Sequence, residues 1–248
     1  MLDLRAPFII GFQVTGLCTL NCVYCYASNS TRVNIPYDDA LIVSRELINA
    51  GIFSISIEGG EPLMHPNWYE IALIFIDAGM EVAILSNGTL CNNKIISNLK
   101  HLSQTSQFFT FQISLDSHRS HVHDITRGKG DLVLSNISRF ANANINIAIA
   151  SVVHKYNMTD LTEMIDALYP NCSKFHFMNL MKITKSYFDF DSIMPSKSEL
   201  TEFWGNIKTL QKEKPEISIS TPYNSINSDF GEAILDCPGY DIHILYLF

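Results

Sequence analysis

The chain has 248 residues, 47% hydrophobic and 17% charged, a composition that excludes disorder, collagen-like repeats and a charge-rich coiled coil. Seventeen Lys and Arg stand against 25 Asp and Glu, for a formal charge of −8. Bulk charge therefore does not suit the chain to clamping a phosphate backbone, and no nucleic-acid partner is expected. The length suffices for one large α/β domain or two small ones, with a core that needs no disulfide framework.

In chain order, apolar β-rich runs alternate with helix-period segments. Strands are expected at Phe8–Val14, Ile52–Ile57, Glu81–Leu85, Phe108–Leu115, Ile145–Val153 and Phe175–Leu180. Helices are expected at Tyr37–Ala50, from Pro66 to Gly79, and at Asn92–Leu102, Asp131–Ala143, Thr159–Leu168 and Ser198–Lys212. Six β–α repeats imply parallel strands joined by right-handed crossovers, either as an open doubly wound sheet or as a complete or partial α/β barrel. Both put function at the carboxyl ends of the strands. No run reaches the ~20 apolar residues of a membrane helix. The opening Met1–Phe8 carries an acidic residue and a proline where a signal peptide has a basic region and an apolar core. A soluble cytoplasmic protein without a membrane partner is the expectation.

The cysteines are Cys18, Cys22, Cys25, Cys91, Cys172 and Cys237, and the first three lie in Cys18-Thr-Leu-Asn-Cys22-Val-Tyr-Cys25, directly after the first strand. In a reducing compartment such a cluster reads as metal binding before disulfide. Zinc sites and cubane iron–sulfur clusters normally take four protein ligands, and no fourth Cys or His follows at short range. The pattern describes either a metal centre with one open position, which suits chemistry, or a zinc knob completed by a distant loop.

Other strand ends carry chemistry too. Glu58-Gly59-Gly60-Glu61-Pro62 follows the second strand. Two glycines allow close backbone approach, and a carbonyl with the Glu61 carboxylate can accept hydrogen bonds from an ammonium; an ordinary βα loop is the plainer reading. Ser86-Asn87-Gly88-Thr89 reads first as a helix-capping turn. After the fourth strand come Ser114-Leu115-Asp116 and His123-Asp124-Ile125-Thr126-Arg127-Gly128. Short polar side chains suit ribose hydroxyls and an Arg suits a carboxylate, while His123-Asp124 reads as a helix start. Ser151 could touch a ribose or a substrate, or be satisfied by backbone. His176 reads as a packed core residue, and Cys91 and Cys172 as structural thiols.

The cysteine triplet, with Tyr24 before its last member, resembles the signature of the radical S-adenosylmethionine (SAM) enzymes, and the motifs at four successive strand ends extend the resemblance over roughly Phe8–Met181. It implies an α/β fold, a partial (β/α)6 TIM-like barrel of parallel strands over residues 1–213. It implies that Cys18, Cys22 and Cys25 hold three irons of a 4Fe–4S cluster, with SAM on the fourth through its amino and carboxylate groups. By the same resemblance Gly59, Gly60 and Glu61 bind the SAM amino group, and Arg127 pairs with its carboxylate. Ser86 and Asn87 lie near the ribose and methionine, Ser114 on the ribose side with Asp116 as a ribose contact or a supporting group behind it, and Tyr24 beside the cofactor. The implied reaction is reductive cleavage of SAM to a 5′-deoxyadenosyl radical that abstracts hydrogen from a substrate, with an electron donor such as flavodoxin or ferredoxin. An apolar barrel interior is expected to shelter it. On this reading Cys22→Ala abolishes the cluster, whereas Arg127→Ala spares it and weakens SAM binding.

Asp236-Cys237-Pro238-Gly239 resembles the entry into the SPASM extension of peptide-modifying relatives, although no further Cys follows Cys237 and one thiol cannot build an auxiliary cluster. Residues 214–248 are expected to be a remnant or the start of such a region. The implied substrate is a peptide or protein. The alternatives are a small molecule of a cofactor or nucleotide pathway, and a non-catalytic zinc-bearing barrel that binds peptides.

Overall fold

The computed structural model describes residues 9–182 and 188–221. Phe8, expected to open the first strand, and Cys237 lie outside the described residues. The elements run β1 (Ile9–Thr15), α1 (Tyr37–Asn49), β2 (Ser54–Gly59), α2 (Trp68–Asp77), β3 (Glu81–Ser86), α3 (Asn93–Thr105), β4 (Phe109–Ser114), α4 (Ser120–His123), α5 (Gly130–Asn142), β5 (Ile147–Val153), α6 (Met158–Leu168), β6 (Lys174–Asn179), α7 (Lys197–Glu213) and β7 (Ser218–Ser220). The strands form one sheet in the order β1-β2-β3-β4-β5-β6-β7, every neighbouring pair parallel. A doubly wound sheet reverses its strand order at a switch point. This order never reverses, and β1 and β7 do not meet, so the architecture is the partial barrel.

Strand boundaries shift where helix ends reach into them. Gly51, at φ +76°, closes α1, and Ile52 N still donates to Leu47 O, so β2 begins two residues later than expected and runs on to Gly59. Asn144, at φ +57°, and Ile145 N donating to Phe140 O do the same before β5. Strand β7 was not foreseen and lies beyond the expected boundary at 213; it pairs Ile219 with Phe175. α7 starts at a capping box in which Ser196 and Glu199 satisfy each other's backbone N–H. Ser196→Ala is expected to lower stability by about 1 kcal/mol, read from the urea midpoint.

Alternation along the strands sets the two faces. Phe12, Ile55, Ile57, Ile84, Phe111 and Phe175 are fully buried against the helices, where they meet Phe75, Leu99, Phe140 and Ile165. The other face carries Gln13, Ser56, Glu58, Gln112, Ser114 and His176, none of them in that core. Register aligns Ser114, Ala150, His176 and Ser220 in one row across β4–β7. The expected apolar interior is therefore corrected: the apolar mass lies between sheet and helices, and the concave face is largely polar.

Candidate functional site

The loop after β1 is pinned at both ends. Gly16 N donates to Val33 O at 2.8 Å, Ile35 N to Val14 O at 3.0 Å, and Thr15 Oγ1 to Asn34 Oδ1 at 2.7 Å. Between these clamps lie Cys18, Cys22 and Cys25, all partly buried. The β2 end packs on the same loop: Gly60 N donates to Thr15 O at 2.8 Å and Glu61 N to Leu17 O at 2.7 Å. A Cβ on Gly60 would fall 2.3 Å from Leu17 O, and one on Gly59 2.5 Å from Thr15 O. No side chain fits at either position, which explains the glycine pair.

Glu61 is fully buried and accepts from Leu63 N (3.1 Å) and Ser86 Oγ (2.9 Å) on Oε1, and from Asn87 N (2.7 Å) on Oε2. Three donors take three of about four acceptor sites on a carboxylate, which holds Glu61 as a buried post between the turns. Burial pushes the Glu61 carboxyl up to about 7 from 4.5, although the three donors pull it down. The folded protein thus keeps a proton that the unfolded chain has lost between about pH 4.5 and 7. Its contribution to the stability of the cofactor-free protein therefore falls as pH rises through that window, by about 3 kcal/mol in total. Urea midpoints across that range should show a negative slope that Glu61→Gln flattens. Ser86 and Asn87 serve this post rather than the open face: Ser86 is buried, and Asn87 Nδ2 donates to Thr19 Oγ1 at 3.0 Å and Cys18 Sγ at 3.5 Å.

Behind the second half of the loop stands Asp116, fully buried. Its carboxylate accepts from Tyr24 OH, from Thr126 Oγ1 at 2.7 Å and from Val152 N at 3.0 Å. Arg127 Nε lies 3.0 Å from Asp116 Oδ2, angled off the hydrogen-bond line, and its guanidinium carbon sits 5.2 Å from the centroid of the Tyr24 ring. Burial works against the Asp116 charge, yet Arg127, then Tyr24, His123 and His154, hold its carboxyl below the usual range. Val23 N donates to Thr126 O at 2.9 Å and couples the cysteine loop to this segment. Asp116 is thereby a pillar under Tyr24 and Arg127, its acceptor sites filled by protein.

The remaining expected residues divide. Ser114 faces the concave side in the row with His176. Ser151 does not join it: it is buried, and its hydroxyl donates to Leu115 O at 2.5 Å. His123 Nδ1 accepts from Asp116 N at 3.1 Å, which makes that histidine a brace for the turn. His176, read as a core residue, instead lies on the concave face with Nδ1 2.6 Å from Ser220 Oγ. Cys172 is buried behind the sheet, where burial raises its thiol to about 11. Thr19, Thr126 and Asn157 were missed. Asn157 Nδ2 bridges Asp116 O and Val152 O at 2.8 and 2.9 Å. A polar residue in a polar loop gives no local signal of such long-range bonds.

The donor set tests what the loop could hold. Burial raises the Cys22 thiol to about 11, Arg127 draws it back, and Cys25 and Cys18 push it further up. The three sulfurs thus share one electrostatic environment. Among the described residues, however, no three His, Cys, Asp or Glu side chains gather so that they could hold a metal ion. A zinc ion at about 2.3 Å from each sulfur needs tetrahedral ligands about 3.8 Å apart. A cubane engages each thiolate through a different iron and takes them spread. An amide donor on the Cys18 sulfur and the Arg127 guanidinium acting on Cys22 suit a negatively charged iron–sulfur cluster.

Comparison with known proteins agrees with this geometry. The chain is 29% identical over 168 residues to the AdoMet-dependent heme synthase of Methanosarcina barkeri, covering 65% of this chain and 47% of that one. It is 25% identical over 242 residues to the sporulation killing factor maturation protein SkfB of Bacillus subtilis, covering 90% of this chain and 57% of that one. The chain thus spans about half the length of these curated relatives. Streptococcus suis SuiB, in a crystal structure bound to S-adenosylmethionine, superposes with a TM-score of 0.76 at 18% identity, over 91% of this chain and 54% of that one, and shares the fold. The Radical SAM superfamily model matches residues 12–168, the span from β1 to the end of α6 that holds the cysteine loop and each motif above, and the chain belongs to that superfamily.

Proposed function

We propose that this chain is a radical SAM enzyme that cleaves S-adenosylmethionine reductively at a 4Fe–4S cluster and acts on a peptide or protein. The observation that carries the reading is the direct packing of three motifs: Gly60 on Leu17, Asn87 on Cys18, and Arg127 on Tyr24. Cys18, Cys22 and Cys25 are the residues to hold the cluster. When bound, the cluster and SAM supply one-electron cleavage of a carbon–sulfur bond and hydrogen-atom abstraction.

The chain's own residues bind and aim. The Gly59–Gly60 backbone, with Glu61 fixed directly behind it, receives the SAM ammonium. Arg127 keeps Nε toward Asp116 and turns its terminal nitrogens to the SAM carboxylate, a two-point match. Ser114 offers its hydroxyl to the ribose. Residues 214–248, with Cys237, are a remnant or the start of a SPASM-like region, and a flavodoxin- or ferredoxin-type donor supplies the electron.

The peptide reading is supported by the 90% coverage of this chain in its match to a maturation protein. The match to a heme synthase keeps a small-molecule substrate as the second reading. Anaerobic reconstitution should give on the order of four irons and four sulfides per chain, and SAM with dithionite should release 5′-deoxyadenosine. One zinc and no sulfide would sink the enzyme reading. A co-purified tetrapyrrole or nucleotide, identified by mass spectrometry in place of a peptide, would transfer it to the small-molecule class.

A further inference from the structure

Glu58 stands apart from everything the cluster and SAM require. It lies at the carboxyl end of β2, in register with Gln13 of β1, on the concave face. Its side chain folds back over Gly11, where an added Cβ would stand 2.9 Å from Oε1 and 3.2 Å from Cδ. Tyr26, the residue after Cys25, donates its hydroxyl to Oε2 at 2.9 Å. That bond ties Glu58 to the cysteine loop. Among the described residues no Lys or Arg forms an ion pair with it, and Tyr26 is the one hydrogen-bond donor to its carboxylate.

A partly buried carboxylate with one neutral donor is costly unless a cation compensates it. Burial raises the Glu58 carboxyl above its usual range, the same imbalance seen from another side. Contrast Asp116 and Asp160, the buried aspartates of the same half of the fold. Each has an arginine, Arg127 on the one and Arg119 on the other. Glu58 lies on the concave face with Tyr26 as its donor, the absent side chain of Gly11 clears room for the carboxylate, and the neighbouring row offers Ser56, Ala83 and Thr110, all small.

We infer that Glu58, seated on Gly11 and steadied by Tyr26, is a subsite for a primary ammonium group of the substrate, a lysine-type side chain or an amino terminus. The inference rests on the reading of the chain as an enzyme acting on a peptide, and it names what that peptide must carry. The subsite orients the substrate from the β1 edge of the concave face and does no bond chemistry itself.

The test uses the full reconstituted chain and two probes, Nα-acetyl-lysine amide and the neutral Nα-acetyl-norleucine amide, with binding read from the probes' own NMR signals. The lysine probe should bind at least about fivefold more tightly than the norleucine probe, the scale of one partly desolvated ion pair. Glu58→Gln should bring the two probes level. Gly11→Ala, which crowds the carboxylate without removing it, should reduce the preference at least by half. Equal binding of the two probes to the unaltered chain, or a preference that survives both substitutions, overturns the inference. A preference lost together with native near-UV circular dichroism in Glu58→Gln, but intact in Gly11→Ala, also overturns it, since the carboxylate is then structural. Failure of the chain to load iron would instead strike the enzyme reading, and the amine selectivity would still be legible on the same sample.

Discussion

Arg127→Ala is expected to destabilise the fold by about 3–5 kcal/mol, the cost of leaving a buried charge without its partner, and to lower iron loading along with it. The guanidinium is 3.0 Å from the fully buried Asp116 carboxylate and is the largest influence holding that carboxyl ionised against burial. Its removal leaves Asp116 with only hydroxyl and amide donors. It also withdraws the surface on which the Tyr24 ring rests, and Tyr24 lies between two of the thiols. This departs from the expectation drawn from the resemblance alone, in which Arg127 served SAM and its loss spared the cluster. Urea midpoints and iron content, measured on one preparation, check both effects. The double variant Asp116→Asn with Arg127→Met should recover part of the stability, because removing both members of a buried pair costs less than removing one. A single Arg127→Ala protein as stable and iron-rich as the parent would show that the pair bears no weight.

Cys22→Ala should leave the fold almost intact and bring deoxyadenosine release to background. Burial already favours the neutral thiol at Cys22, so the metal-free protein loses only a small, partly buried side chain. Iron is what that sulfur has to compensate for becoming a thiolate, and two ligands do not hold a cubane in place. Cys91→Ala is the matched control. Cys91 packs at the edge of the main core, outside the cysteine loop, and its loss should leave iron content unchanged. If Cys22→Ala kept its iron and sulfide while Cys91→Ala lost them, the ligand assignment would be wrong.

Much of the architecture is written in short-range patterns. Gly51 and Gly79, at φ +76° and +78°, stop their helices where the sequence places stops. Six of the seven strands announce themselves by apolar runs. β7 does not, because Ser-Ile-Ser is too short a run for its alternation to stand out from a loop. The cysteines, the glycine pair and Arg127 stand out in the sequence by residue type and spacing, and the structure packs their segments together. Ser151 misled because periodicity gives alternation without saying which face is which, and its side chain lies on the helix-facing side of the sheet. The polar concave surface was overlooked for the same reason. Gln13, Ser56, Glu58 and Gln112 sit at every second position of their strands, and only the pairing register of the sheet shows that these positions share one side. Asp116 was foreseen as either a ribose contact or a supporting group, and the bonds that decide it come from Tyr24, Val152 and Arg127, residues 11 to 92 positions away.

The contact at Gly60 leaves no clearance: an added methyl would meet Leu17 O at 2.3 Å and the Cys18 Cβ at 2.9 Å. The turn proposed to bind S-adenosylmethionine and the turn that carries Cys18 are therefore geared together. A displacement of one is handed to the other without slack, so the two turns can change in sequence only as a unit.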